Sequence, residues 1–279
     1  MNIDAHQHYW NPARGDYGWL TPDMEPLYRV FGSEELAPLR QATGIDCTVV
    51  VQAAPTVEET RYLLDLARND DSIAGVVGWV PLDSPEASNL IEELAREPKF
   101  KGVRPMLQDL PDDTWIEHAP REAAIQRLID LDLAFDALIF ARHVPSLIRF
   151  VERSEAQDRR RSWREAADPR WYRGGLAAVG RWHRATRRVT AKALLQIFRS
   201  RDRSKPELDG RNLKTLRYAS HRTIRTGASD VGWGSDWPVL NLNGSYTAWH
   251  ATAKSLTSHL EKAAQDAIFG GNAHAFYRL

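Results

Sequence analysis

Three residues whose side chains can do chemistry, Asp4, His6 and His8, alternate close to the start of the chain. Alternate side chains of an extended strand point to the same face, so this spacing predicts all three on one face of a first strand. Two neutral imidazoles placed there can chelate a divalent metal ion or bind an oxyanion. Ordinary polar strand residues are the alternative interpretation of the pattern.

Asp236 lies in the run Trp233-Gly234-Ser235-Asp236-Trp237-Pro238. Glycine allows a close backbone approach and proline stops a strand, so the run is typical of a strand end. A carboxylate in such a place can take a proton from an attacking water, and the neighbouring tryptophans would raise its pKa by desolvation. A surface turn in which Asp236 caps the backbone is the alternative interpretation.

Arg104 and His143 each follow an apolar run. A fixed planar guanidinium such as that of Arg104 can hold a carboxylate or polarise a carbonyl, and the alternative is a structural ion pair. His143 stands where it could donate a proton to a substrate, although a histidine at a helix start without catalytic function fits equally well. We predict Asp236 and His143 as catalytic residues and place Arg104, Gln108 and Trp237 in contact with the substrate.

The elements that position these residues repeat one unit, in which a short apolar run is followed by a capped helical pattern. Units recur about 25 to 30 residues apart, which predicts an α/β fold of the (β/α)8 type across a single domain, residues 1–279. Helices are expected to start near Ser33, Thr56, Ser84, Pro120 and Val144. The predicted strands are Asn2–Ala5, Cys47–Ala53, Ile73–Val80, Phe100–Met106, Ala134–Phe140 and a strand end at Gly232–Asp236.

A basic segment separates these two parts of the pattern. Between Arg149 and Thr226 the chain has 19 Arg and 3 Lys against 8 acidic residues, while the remainder has 15 basic and 29 acidic residues, so the whole is neutral. A solvated basic insertion and a polyanion-binding arm are two interpretations of such a segment. The basic residues lack the aromatic interleaving of a nucleic-acid module, so no nucleic acid is expected as a partner.

Four motifs together carry a family resemblance: Ile3–Trp10, Gly102–Gln108, Trp233–Pro238 and Gly270–Ala273. In this order they resemble the amidohydrolase-2 group, which includes sugar-lactone hydrolases. The resemblance implies a (β/α)8 barrel that opens a lactone or related cyclic ester with water, with Asp236 as general base and His6 and His8 lining the site. Members work with one divalent ion, such as Zn or Mn, or with none. A decarboxylase of the same superfamily and an inactive product are the alternative functions.

The basic segment departs from that family. Two motifs of its later strands, V-V-D-H-G-A-K-P and C-K-F-S-G-L, are absent from this chain. Read one base later, codons for Asp158–Ala166 are compatible with I-V-V-D-H-G-A-K-P, and codons for Leu195–Arg199 are compatible with C-K-F-S-G. We therefore hypothesise a frameshift that makes residues 153–231 aberrant and disrupts the barrel strands expected there.

The remaining features restrict the surroundings of the protein. Cys47 is the single cysteine, so no intrachain disulfide forms and a reducing compartment is expected. No apolar stretch approaches the roughly 20 residues of a membrane span, and we expect a cytoplasmic protein that acts on a small molecule and has no membrane partner. The sequence carries no indication of oligomeric state.

Overall fold

The five strands of the computed structural model, which describes residues 1–154, 232–242 and 244–279, form one parallel sheet in which their order is that of the chain. Neighbours in sequence are neighbours in the sheet, and helices connect them, as in the first five units of a (β/α)8 barrel. The predicted fold class is thus confirmed for this part of the chain. The strands are β1 (Ile3–Gln7), β2 (Cys47–Val51), β3 (Ile73–Gly78), β4 (Phe100–Val103) and β5 (Ala134–Phe135).

The helices follow the predicted sites with small displacements. Before the basic segment they are α1 (Ser33–Thr43), α2 (Val57–Arg68), α3 (Ala87–Leu94), α4 (Trp115–His118), α5 (Glu122–Asp130) and α6, which includes residues 144–154. After it they are α7 (Tyr246–Thr257), α8 (Lys262–Asp266) and α9 (Asn272–Tyr277).

The structure confirms the predicted cap of α2 but not the predicted start of α3. Thr56 caps α2 as expected, since its hydroxyl accepts the Glu59 amide at 3.1 Å. Thr56 and Glu59 have the spacing of a capping box, in which the Glu59 side chain would bind the Thr56 amide, but the Glu59 carboxylate accepts the amides of Ala53 and Ala54 instead. The start predicted near Ser84 is wrong by three residues: its hydroxyl binds the Glu86 amide in a turn, and α3 begins at Ala87.

The sheet buries apolar side chains on both faces. The face toward the helices carries Val50, Val76, Phe100 and Val103, which pack against residues of α1, α2, α3 and α5. The other face carries Ile3, Val49, Val51, Val77 and Ala134, which pack against Ala273 and Tyr277 of α9. Burial on both faces is what a barrel wall requires, and it explains why these strands are near-continuous apolar runs.

A β-bulge in β1 changes which side chains share a face. Asp4 pairs with Thr48 and Gln7 pairs with Val50, so β1 contains one residue more than β2 between these pairs. Asp4 and Gln7 therefore share the helix-covered face of Thr48 and Val50, and His8, next to Gln7, points to the opposite face. The prediction that Asp4, His6 and His8 all point to one face is wrong for Asp4, because the bulge interrupts the two-residue period.

The segment 232–236, predicted to be a strand end, is not a strand but lies along β1. The Ala5 amide donates to the Trp233 carbonyl at 3.0 Å, and the Trp233 amide donates to the Ile268 carbonyl at 2.9 Å. Further along, Gly270 lies so close to the Met1 carbonyl that a Cβ atom would be 2.0 Å from its oxygen. The chain after the basic segment is thus packed against the first strand.

The predicted disruption of residues 153–231 lies outside the described residues except at 153 and 154, which are helical. In the described ranges, no helix combines the length and the apolar character that crossing a membrane requires.

Candidate active site

His6, His8 and Asp236 form a cluster whose potential ligand atoms all lie within 4.8 Å of one another. The His8 Nε2 atom is 2.8 Å from Oδ1 of Asp236, and the His6 Nε2 atom is 3.5 Å from the same oxygen. The Asp236 side chain is 22% exposed and that of His6 is 16% exposed, so small molecules can reach the cluster. The structure thus brings together three residues that the sequence analysis singled out.

A hydrogen bond to the main chain fixes the tautomer of His8. Its Nδ1 atom is 2.7 Å from the Val51 carbonyl oxygen, which can only accept, so Nδ1 carries the proton. In the neutral ring Nε2 then presents a lone pair to the Asp236 carboxylate. Two acceptors at such a distance need a proton or a cation between them, and a backbone carbonyl that orients the far nitrogen is typical of metal-binding histidines.

Asp236 is held in place by backbone contacts with β1. Its amide donates to the His6 carbonyl at 2.7 Å, and the His8 amide donates to the Trp237 carbonyl at 2.7 Å. Asp236 has a φ of 55°, in the left-handed region that costs a non-glycine residue about 1 to 2 kcal/mol. These contacts therefore stabilise a conformation that the residue does not favour by itself, and such residues concentrate at functional sites.

Gly234 allows the close approach of the two segments. A Cβ atom on this residue would lie 2.7 Å from the His6 Cβ and 3.2 Å from its amide nitrogen. Any larger residue would push residues 233–237 away from β1. Glycine at this position is thus a condition for placing Asp236 beside the histidines.

Asp4 lies behind the cluster, fully buried. Its carboxylate accepts the amides of His6 and Ser235 and the hydroxyl of Tyr246 on α7. Burial raises the pKa of Asp4 to about 6, although these hydrogen bonds oppose the rise. Strand alternation predicted Asp4 on the same face as the histidines, so these contacts on the other face of the strand were not predicted.

The two tryptophans predicted to flank Asp236 are both buried. The Trp233 ring packs edge-on against Tyr246 at 5.7 Å between ring centroids. The Trp237 ring packs edge-on against Tyr9 and Phe31 at 6.1 and 5.3 Å. Trp237 is 2% exposed, so its ring is a buried part of the wall of the site.

Arg104 lies at the end of β4 in a buried group of charges. It is 4% exposed, its Nη2 donates to the Gln52 carbonyl, and the Gln52 amide side chain donates to the Arg104 carbonyl at 2.8 Å. Burial lowers the pKa of Arg104 to about 10, and the charges of Asp136 and Glu59 oppose this. Burial likewise raises the pKa of Glu59 to about 7.

Glu59 and Asp136, which complete this group, were not among the predicted site residues. Glu59 had a visible signal, its capping-box spacing from Thr56, but that spacing indicates a helix start rather than a buried charge. Asp136 follows β5 directly and is fully buried. It lies within the apolar run predicted as the strand Ala134–Phe140, and an acidic residue inside such a run is the signal that could have marked it.

Gln108 and His143 lie in short 3₁₀ helices after β4 and β5, Leu107–Asp109 and Ala141–His143, and do not belong to the three-residue cluster. Gln108 donates to the Ile139 carbonyl at 3.2 Å. The Phe140 amide donates to Nδ1 of His143 at 2.9 Å, so Nε2 carries the proton and donates to Asp113 at 3.1 Å. Both ring nitrogens of His143 thus have protein partners, and the ring is 1% exposed.

The donor set of the cluster suits a divalent metal ion. Two imidazole nitrogens and one carboxylate oxygen are the three protein ligands of many catalytic zinc sites, which leave a position for water or substrate. The hydrogen bond to the Val51 carbonyl keeps the proton on Nδ1 of His8, so the lone pair of Nε2 faces Asp236 and is available to a metal ion. These residues are therefore possible metal ligands.

Comparisons with known proteins cover nearly the whole chain. The family model for amidohydrolases matches residues 3–279. L-fucono-1,5-lactonase of Burkholderia ambifaria is 41% identical over 287 residues, covering 100% of this chain and 96% of that protein. L-fucono-1,5-lactonase of Burkholderia multivorans is 30% identical over 295 residues, with the same coverage. A crystal structure of an amidohydrolase from Burkholderia multivorans with bound zinc has a TM-score of 0.76 and 26% identity, covering 100% of this chain and 99% of that one.

Proposed function

The chain belongs to the amidohydrolase family, and from this premise we propose that it is a hydrolase that opens the ring of a sugar lactone with water. The convergence of His6, His8 and Asp236 carries the proposal, because it puts a carboxylate that can accept a proton beside two oriented imidazoles. The two relatives named L-fucono-1,5-lactonase support a lactone of a six-carbon deoxy sugar as the first substrate to test.

A divalent ion, zinc or manganese, is the cofactor that we propose for His6, His8 and Asp236. The zinc bound to the related amidohydrolase from Burkholderia multivorans supports zinc as the first candidate. Such an ion polarises a carbonyl and lowers the pKa of water. The His8 tautomer supports the proposal from within the chain, because it directs a lone pair toward the site.

Each step of the proposed reaction is assigned to residues of this chain. Asp236 takes a proton from the attacking water as the water oxygen bonds to the lactone carbonyl carbon. The bond from that carbon to the ring oxygen then breaks, and the proton passes to the ring oxygen to give a hydroxy acid. Arg104 contributes positive charge near the carbonyl oxygen, and its Nε has no hydrogen-bond partner among the described residues.

For the remaining predicted residues the roles stay proposals. His143 would donate a hydrogen bond from Nε2 to the leaving ring oxygen and keep its proton, which requires it to exchange Asp113 for substrate. Gln108 would contact the sugar, whereas the ring of Trp237, proposed from the sequence as a substrate contact, is buried and would support the wall of the site. A cytoplasmic location and one domain across residues 1–279 stay predictions, and the family match over residues 3–279 supports the second.

A chain in which the family motifs are restored within residues 153–231 tests the proposal when it is assayed with L-fucono-1,5-lactone and other sugar lactones, beside the chain as written. Acid release that exceeds the spontaneous rate, with one ¹⁸O atom taken from labelled water into the carboxylate, is the expected result. Chelator followed by zinc or manganese then measures the dependence on metal. Release of carbon dioxide from a carboxylated substrate, with no lactone opening, would instead indicate the decarboxylase alternative.

We also propose that residues 153–231 are encoded out of frame and that the chain as written has low activity or none. Two separate stretches, Asp158–Ala166 and Leu195–Arg199, are compatible with family motifs in the same shifted register. A genuine basic insertion has no reason to encode those motifs. Sequencing the DNA across codons 150–235 tests this directly, and a shifted frame that contains neither motif would refute it.

A further inference from the structure

The Asp4 carboxylate is a fully buried polar group that the proposed reaction does not use. It lies on the face of β1 opposite to His8 because of the β-bulge, and it is not one of the three clustered residues. A buried carboxylate is costly unless several donors satisfy it, so its contacts indicate what it does.

One oxygen of Asp4 joins the two segments that carry the cluster. Oδ1 accepts the His6 amide at 3.2 Å and the Ser235 amide at 2.9 Å. The first amide belongs to a clustered residue, and the second belongs to the residue immediately before Asp236. Oδ2 accepts the hydroxyl of Tyr246 at 3.1 Å, which orients the carboxylate from α7.

The residues after Ser235 depend on its position. The Ser235 hydroxyl accepts the Trp237 amide at 3.0 Å, and Asp236 between them has the unfavourable left-handed φ. A shift of Ser235 away from β1 would therefore move the Asp236 carboxylate relative to the histidines. No side chain other than Asp4 binds the Ser235 amide among the described residues.

We propose that Asp4 is a positioning residue that sets the spacing between His6, His8 and Asp236 by holding the amides of His6 and Ser235 on one oxygen. The inference rests on the proposed function in one respect, the use of these three residues as a metal site. It predicts that Asp4 controls metal affinity without contacting the metal.

Three variants of the full chain test this inference. Asp4→Ala removes both acceptors, whereas Asp4→Asn keeps one oxygen for the two amides and offers its NH2 group to the Tyr246 hydroxyl. Thr60→Val is the matched control, because Thr60 is equally buried and its hydroxyl bonds the amide and carbonyl of Trp79 at 2.7 and 3.0 Å, away from the cluster. The readouts are zinc affinity by competition with a chromogenic chelator and amide hydrogen exchange by mass spectrometry.

We expect Asp4→Ala to weaken zinc binding about 10- to 100-fold, as loss of an orienting partner does at metal sites. Asp4→Asn should stay within about threefold of the parent chain, and Thr60→Val should not differ from it. The rate of amide hydrogen exchange should rise in peptides covering residues 232–242, and only in the Asp4→Ala variant. Equal zinc affinity of Asp4→Ala and Thr60→Val would overturn the inference, as would an Asp4→Asn variant as weak as Asp4→Ala.

A failure of the proposed metal site can be distinguished from a failure of the inference about Asp4. A parent chain that binds no zinc refutes that site, and hydrogen exchange then decides the inference alone. Faster exchange across 232–242 in Asp4→Ala, absent from Asp4→Asn, would still support the positioning role. Unchanged exchange there would overturn it.

Discussion

The Nε2 atom of His8 lies 2.8 Å from Oδ1 of Asp236, although the two residues are 228 positions apart in the chain. Parallel strands of a closed barrel bring the first and last units side by side, so such a contact is expected between the two ends of the fold. The neighbouring backbone bonds of His6 with Asp236 and of His8 with Trp237 show that whole segments meet here.

Replacing Asp236 by Asn should reduce the kcat of lactone hydrolysis about 100- to 10,000-fold, because the amide cannot take a proton from water. Asp71→Asn, which changes a fully exposed carboxylate, is the control and should keep the parent rate. Steady-state rates are measured on the chain as written and on a chain with the family motifs restored. An Asp236→Asn variant with the parent kcat would exclude Asp236 as general base.

Replacing His8 by Ala should weaken zinc binding more than about 100-fold, since even partners that only orient a ligand are worth about 10- to 100-fold. His118→Ala is the control, because His118 is exposed and bonds only Asp112 among the described residues. Isothermal titration with zinc measures both variants. Equal affinities would show that the ion binds elsewhere.

Replacing Gly234 by Ala should lower the free energy of unfolding by about 1 to 3 kcal/mol, because the added methyl group overlaps His6 and must displace backbone. Gly232→Ala is a matched control in the same segment, where the new Cβ has only an ordinary contact of 3.9 Å with Ala5. Urea denaturation compares the two variants. Gly234→Ala should also lose zinc affinity, and a variant as stable as Gly232→Ala would contradict the close approach.

Glu59 should make stability depend on pH. Burial raises its pKa in the folded chain to about 7, above the ordinary 4.5, so the protonated carboxyl favours folding. Its contribution is full below about pH 4.5 and is lost as the pH rises through about 7. The difference in unfolding free energy between the parent chain and Glu59→Gln should therefore fall by about 3 kcal/mol over this range.

The comparison for Glu59→Gln is Glu34→Gln, which removes an exposed carboxylate of α1. Urea titrations at several pH values measure both differences. If the Glu59→Gln difference is as flat with pH as the Glu34→Gln difference, the raised pKa of Glu59 is contradicted.

Replacing Arg104 by Met should destabilise the fold by about 3 to 5 kcal/mol, because the charges of Glu59 and Asp136 lose their buried counterion. Arg61→Met removes an exposed arginine that pairs with Glu93 and should cost less than about 1 kcal/mol. Chemical denaturation measures both. A mild effect of Arg104→Met would contradict its role as the counterion of Glu59 and Asp136.

The apolar runs were sufficient to predict the parallel strands, but not their ends. β2 was predicted to reach Ala53, yet it ends at Val51, because the Glu59 carboxylate takes the amides of Ala53 and Ala54. A side chain that competes for backbone amides leaves no mark in hydrophobic periodicity. The predicted ends of β2 to β5 lie beyond the observed ones, whereas β1 continues to Gln7, two residues past its predicted end at Ala5.

The structure brings His6, His8 and Asp236 together, and the face predicted for Asp4 was wrong. Strand alternation places residues correctly only while pairing stays in register, and the bulge in β1 depends on how it pairs with β2. The burial of Trp237 and the double engagement of His143 likewise depend on partners from distant segments. Spacing within one motif contains no information about such partners.

The bond from His8 to the Val51 carbonyl has a consequence for how the site tolerates sequence change. Its acceptor is main chain, so substitutions at position 51 leave the proton of the imidazole where it is as long as the strand persists. Amino-acid changes at position 51 therefore do not alter which nitrogen of His8 carries the proton. A variant that moves the proton of His8 from Nδ1 to Nε2 must displace the backbone of β2. The tautomer therefore depends on the position of that backbone and not on the side chain at position 51.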